Sequence, residues 1–109
     1  MNADSSPARV FLCDDSAVAR GAMRRLLSAD PELRLVGEAA DGETAIEALS
    51  RTPADVLLLD LEMPVLDGMS ALPRILALRD APTVIVASAL SQPGGRMAMA
   101  ALRAGAADY

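Results

Sequence analysis

Asp14 and Asp15 close the apolar run Val10-Phe11-Leu12-Cys13, Asp60 closes Val56 to Leu59, and Ser88 closes Thr83 to Ala87. A carboxylate that ends a buried strand stands at the rim of a sheet, where it meets solvent and ligand together. If those runs are neighbouring strands, Asp14, Asp15 and Asp60 share one crevice and repel each other until a cation lies between them. Oxygen donors select a hard ion. An incomplete carboxylate set, with places left for water and phosphate oxygens, suits Mg²⁺ better than a Ca²⁺ cage. Any one of these acids alone reads as a helix cap or turn residue; their recurrence after successive apolar runs is what points to a site. The rest of the composition narrows the chemistry. There is no histidine, a single cysteine, and all 10 basic residues are arginines, which excludes zinc sites and Ser-His-Asp or Cys-His arrangements within the chain. What remains is chemistry on carboxylates, hydroxyls and a hard metal.

The elements that must position these groups alternate between strand and helix patterns. After Val10 to Cys13, Ser16 is a natural N-cap, and Val18, Ala22, Met23, Leu26 and Leu27 recur at helical spacing. Leu33 to Ala39 alternates poorly but reads as a second strand, and Asp41-Gly42 turns into a helix that carries Ala45, Ile46 and Leu49 inward. Val56 to Leu59 is apolar throughout, as expected of a strand buried on both faces of a parallel sheet. A third helix is predicted from about Gly68 to Leu78 on Leu72, Ile75 and Leu76, with Pro73 near its first turn. Thr83 to Ala87 gives a fourth strand and Met97 to Ala104 a fourth helix. This alternation with short connections predicts an α/β fold, a flavodoxin-like doubly wound parallel sheet of order 2-1-3-4-5. In that order the crevice between strands one and three is the ligand position, and the acids fall there.

The chain has 109 residues, a formal charge of -5 and 52% hydrophobic residues, which fits one soluble domain behind a polar tail, residues 1-8. No apolar run is long enough to span a bilayer. A lone Cys13 and an N-terminus without a signal-peptide core point to the cytoplasm. Net acidity without a basic cluster argues against direct nucleic-acid binding. Cys13 reads as a buried inert thiol, and Arg20, Arg24 and Arg25 as the solvated face of the first helix, with a docking surface for a partner as the second reading of that face.

Several stretches together are more specific. Val10-Phe11-Leu12-Cys13-Asp14-Asp15-Ser16, the loop Asp60-Leu61-Glu62-Met63-Pro64-Val65-Leu66-Asp67-Gly68, the pair Ser88-Ala89 and the late Ala104-Gly105-Ala106-Ala107-Asp108-Tyr109 resemble the receiver domains of two-component response regulators, over residues 9-109. The resemblance implies a domain phosphorylated by a sensor histidine kinase. Asp60 then corresponds to the phosphoacceptor, Asp14 and Asp15 to the metal acids that hold Mg²⁺ together with Asp60, and the backbone carbonyl of Glu62 to a further metal ligand. Ser88 corresponds to the switch hydroxyl and Tyr109 to the switch aromatic. Glu62, Ser16, the stretch Val84 to Ser91 and the segment from Gly94-Gly95 to Tyr109 look most like the regulatory domain of the chemotaxis protein-glutamate methylesterase. That likeness implies an output domain following this one. Pro31 to Glu38 also occurs in receivers of DNA-binding regulators.

Receivers carry a lysine shortly after the switch aromatic, and this chain has none, so it reads either as truncated before strand five is complete or as a degenerate receiver without that lysine; the run Ala104 to Tyr109 stops mid-element, which favours truncation. Such a chain is expected to leave apolar surface beside helix one uncovered, and so either to be less stable than a version extended through strand five and helix five or to self-associate through that face. Two other classes stand beside the phospho-switch. One is a metal-dependent hydrolase or phosphatase turning over at Asp60, for which Glu62 is the nearby acid or base. The other is an interaction module that is not phosphorylated.

Overall fold

The structure is a computed structural model and describes residues 6–60 and 68–86. Strand β1 (Ala8–Cys13) leads into helix α1 (Ala17–Ser28), β2 (Leu33–Ala39), α2 (Gly42–Arg51), β3 (Val56–Leu59), α3 (Gly68–Leu76) and β4 (Thr83–Val86). All strand pairs are parallel and the sheet order is β2-β1-β3-β4. The doubly wound order expected from the sequence is therefore present through four strands; the expected fifth strand and the helix from Met97 to Ala104 lie outside the described residues. No described helix is long and apolar enough to cross a membrane.

The core forms on both faces of the sheet because β3 has apolar side chains at every position. Val56 and Leu58 join Val10, Leu12, Leu27, Leu33 and Ile85 on the α1 side. Leu57 and Leu59 point the other way, into Phe11, Cys13, Ala45, Leu49, Ala71 and Ile75 beneath α2 and α3. Side chains alternate across a strand, so a four-residue apolar run serves two cores at once.

Three details differ from the sequence reading. Of the apolar residues assigned to α1, Leu27 is buried and Met23 half-buried, whereas Val18 is 83% and Leu26 51% exposed. Positions 18, 22 and 26 follow a second helical stripe, about 100° round from 23 and 27, and no described residue covers it. In α3, Ile75 is buried but Leu76 is exposed. Pro73 lies in the body of α3 rather than its first turn; lacking an N–H, it still accepts through its carbonyl from Ala77 N at 3.1 Å. The poor alternation of β2 has a physical cause. Val10 faces Leu35, but Phe11 faces Gly37, so Val36 is an extra residue that bulges out of the pairing. Gly37 is required there: a Cβ would sit 2.6 Å from the Phe11 ring.

Candidate functional site

The sheet order reverses at β1, which continues to β2 on one side and to β3 on the other. Cys13 and Leu59 are paired in register at the carboxyl ends of β1 and β3, and Asp60 N donates to the Cys13 carbonyl at 2.9 Å. The next side chains from each strand are the acids. Oxygens of Asp14, Asp15 and Asp60, one from each, lie within 4.8 Å of one another. Asp14 is buried, Asp60 half-buried and Asp15 exposed, so the cluster runs from the interior out to solvent.

The β1–α1 connection that carries two of these acids is tightly tied. Asp14 N donates to the Ala39 carbonyl at 3.0 Å, and Asp14 Oδ1 accepts from Ser16 N at 2.9 Å. Ser16 is the N-cap of α1, as expected, its hydroxyl accepting from Ala19 N at 3.1 Å. These contacts occupy one Asp14 oxygen and leave the crevice lined by hard oxygen donors. Three carboxylates brought this close are the hard oxygen donors that suit a small divalent cation, so the residues present would fit Mg²⁺. The electrostatics agree. Burial, the largest influence, pushes the Asp14 carboxyl above the usual carboxylate range; Asp60 and Asp15 push the same way, while the Ser16 N–H and Arg20 oppose them. A divalent cation would offset both the desolvation and the like-charge repulsion.

Cys13 is buried and its thiol donates to the Asp41 carbonyl at 3.4 Å. Burial first, and then the charges of Asp41, Asp14 and Asp60, push it up to about 12, which keeps it a thiol at neutral pH. This agrees with the inert reading. Glu62, Ser88 and Tyr109 lie outside the described residues.

The sequence reading missed Arg20. Instead of a solvated face, the Arg20 side chain is only 20% exposed, pairs with Glu38 and donates from Nη1 to the Asp14 carbonyl at 2.7 Å. Two signals were available: Arg20 and Arg24 share a helix stripe at i,i+4, and Glu38 is the one acid inside an otherwise largely apolar strand.

With that geometry in place, comparison with known proteins decides the family. A family model for the response regulator receiver domain matches residues 10–109. The chain belongs to this family. The receiver is 51% identical over 105 residues to the protein-glutamate methylesterase/protein-glutamine glutaminase of group 2 operon of Rhodospirillum centenum, covering 96% of the chain and 27% of that protein. It therefore spans about a quarter of the length of that relative. Among solved structures it is similar to the response regulator domain of Thermotoga maritima CheB, with a TM-score of 0.73, 36% identity, and coverage of 94% of this chain and 75% of that one. It is also similar to a chain of the CheX-CheY-BeF3-Mg+2 complex from Borrelia burgdorferi, with a TM-score of 0.68, 26% identity, and coverage of 74% of this chain and 61% of that one. The receiver is homologous to the CheB regulatory domain, and its four described strands follow the flavodoxin-like order of the receiver fold.

Proposed function

We propose that residues 9-109 form the regulatory receiver of a chemotaxis protein-glutamate methylesterase, phosphorylated on Asp60 by a sensor histidine kinase in the cytoplasm. The observation that carries the reading is the convergence of Asp14, Asp15 and Asp60 at the point where the strand order reverses, in a chain whose relatives are methylesterases. The output domain is proposed to follow the receiver.

Asp14, Asp15 and Asp60, with the Glu62 carbonyl, would hold Mg²⁺. When bound, the ion neutralises the acid cluster and the charge of the incoming phosphoryl group. The chain's own part is nucleophilic. A carboxylate oxygen of Asp60 attacks phosphorus and forms an O–P bond as the bond to the donor breaks. The leaving group departs with the electron pair and takes a proton from water. The product is an acyl phosphate at the rim of β3. By the family resemblance, Ser88 would be the switch hydroxyl that donates to a phosphoryl oxygen once that oxygen has arrived, and Tyr109 the switch aromatic. The similar Borrelia burgdorferi complex holds both BeF3 and Mg, which supports hard-metal chemistry in this fold.

Incubation with a small acyl phosphate donor and Mg²⁺, followed by intact mass, tests the reading. One phosphoryl group per chain is expected with Mg²⁺, none with excess chelator and none in Asp60→Asn. Unchanged labelling in Asp60→Asn would contradict it, and sustained multiple turnover of donor without accumulation would favour a hydrolase instead.

A further inference from the structure

Glu38 reaches the helix α1 face only because of the bulge in β2. Leu33 and Leu35 pack on the α1 side of the sheet, and strict alternation would send Ala39 to that side and Glu38 to the other. The extra residue Val36 reverses the phase. Glu38 then pairs with Leu12, whose side chain belongs to the α1-side core, and Ala39 pairs with Cys13 in the opposite core. Bulges in parallel pairs are rare and characteristically re-aim a side chain near a functional site.

On that face Glu38 meets two arginines. Arg24 forks onto it, Nε to Oε2 at 2.7 Å and Nη2 to Oε1 at 2.8 Å. Arg20 Nε lies 3.3 Å from Glu38 Oε1, while Arg20 Nη1 donates to the Asp14 carbonyl at 2.7 Å. The planar guanidinium therefore bridges two elements at once, with one edge on β2 and the other on the backbone of the acid-bearing connection. Arg20 and Glu38 are 20% and 23% exposed, the outer Arg24 52%.

We propose that Arg20 is a positioning residue for the acid pocket: it fixes the β1–α1 connection through the Asp14 carbonyl, and Glu38, itself held by Arg24, fixes Arg20. The proposal rests on the reading of the pocket as a Mg²⁺ site. It has a consequence of definite sign. Acting only as a positive charge, Arg20 would repel the metal, and its removal would tighten binding. Acting by position, its removal loosens Asp14 and Asp15 and weakens binding.

Mg²⁺ affinity of the whole chain by titration calorimetry separates the two. Arg20→Met is expected to raise the Kd for Mg²⁺ about 10-fold, the lower end of what losing a residue that orients a metal ligand costs. Glu38→Gln is expected to raise it by less. The double variant is expected to bind no worse than Arg20→Met alone, because Glu38 acts through Arg20. Unchanged or tighter binding by Arg20→Met overturns the proposal. So does a double variant restored to the native Kd, which is the outcome of compensating charges. If Arg20→Met does not fold, Glu38→Gln and Arg24→Met decide: weaker binding in both supports the proposal and native binding in both overturns it. Asp15→Asn serves as the reference. If it too binds Mg²⁺ normally, the pocket reading itself has failed; if it binds weakly while Arg20→Met does not, only the role of Arg20 has.

Discussion

At the scale of the residue, the acid cluster sets function against stability. Asp14 has its carboxyl raised above the ordinary range, chiefly by burial. For a raised carboxyl the folded state binds the proton more tightly than the unfolded chain. The stability it contributes is thus greatest below the unfolded value and is lost as pH rises through the folded one. Near neutral pH, without metal, ionised Asp14 therefore costs stability. Asp14→Asn keeps an oxygen for the Ser16 N–H and removes that cost, so its melting temperature at pH 7 without Mg²⁺ should lie above that of the native chain. The gap should close as pH falls towards 3. With Mg²⁺ the order should narrow or invert, since binding to the folded state stabilises the native protein more than the variant. A lower melting temperature for Asp14→Asn at pH 7 in chelator would show that the carboxylate is satisfied by the protein alone.

At the scale of the element, the close approach of Gly37 to Phe11 fixes the register of β2. Gly37→Ala should destabilise by about 1–3 kcal/mol in chemical denaturation, the usual cost of overpacking, because the Phe11 ring is 3% exposed and a Cβ would meet it at 2.6 Å. Adding Phe11→Leu should recover part of the loss rather than double it. The same strand shows where sequence stops being legible. The run Val56 to Leu59 was readable because each residue is apolar whichever face it takes, and Asp14, Asp15 and Asp60 were readable because they directly follow such runs. The bulge at Val36 was not, since one extra residue reverses the alternation and leaves only a poor pattern. With that phase lost, Glu38 could not be placed, and Arg20 and Arg24 looked like a solvated face. The apolar band of α1 misled for a related reason: Val18 and Leu26 show helical spacing, but spacing alone does not say how wide a stripe the sheet covers. The Asp41 cap was hidden within an apparent turn; its side chain accepts from Thr44 N at 2.8 Å.

At the scale of the whole molecule, the exposed Val18 and Leu26 stand two turns apart on one stripe of α1. Apolar side chains in that arrangement favour association. Sedimentation of the 109-residue chain should show an average mass that grows with concentration, and Val18→Gln with Leu26→Gln should return it to the monomer. Concentration-independent monomer in the native sequence would mean that the stripe is too small or too well covered to associate. The central claim is that three acids placed at a reversal of strand order make Asp60 a metal-dependent phosphoacceptor. Its most direct test is to trap the acyl phosphate. After treatment with donor and Mg²⁺, borohydride reduces an aspartyl phosphate to homoserine, and peptide sequencing by mass spectrometry locates it. The account predicts homoserine at position 60 alone, dependent on Mg²⁺; homoserine at position 14 or 15, or none at all in a chain that binds Mg²⁺, would contradict it.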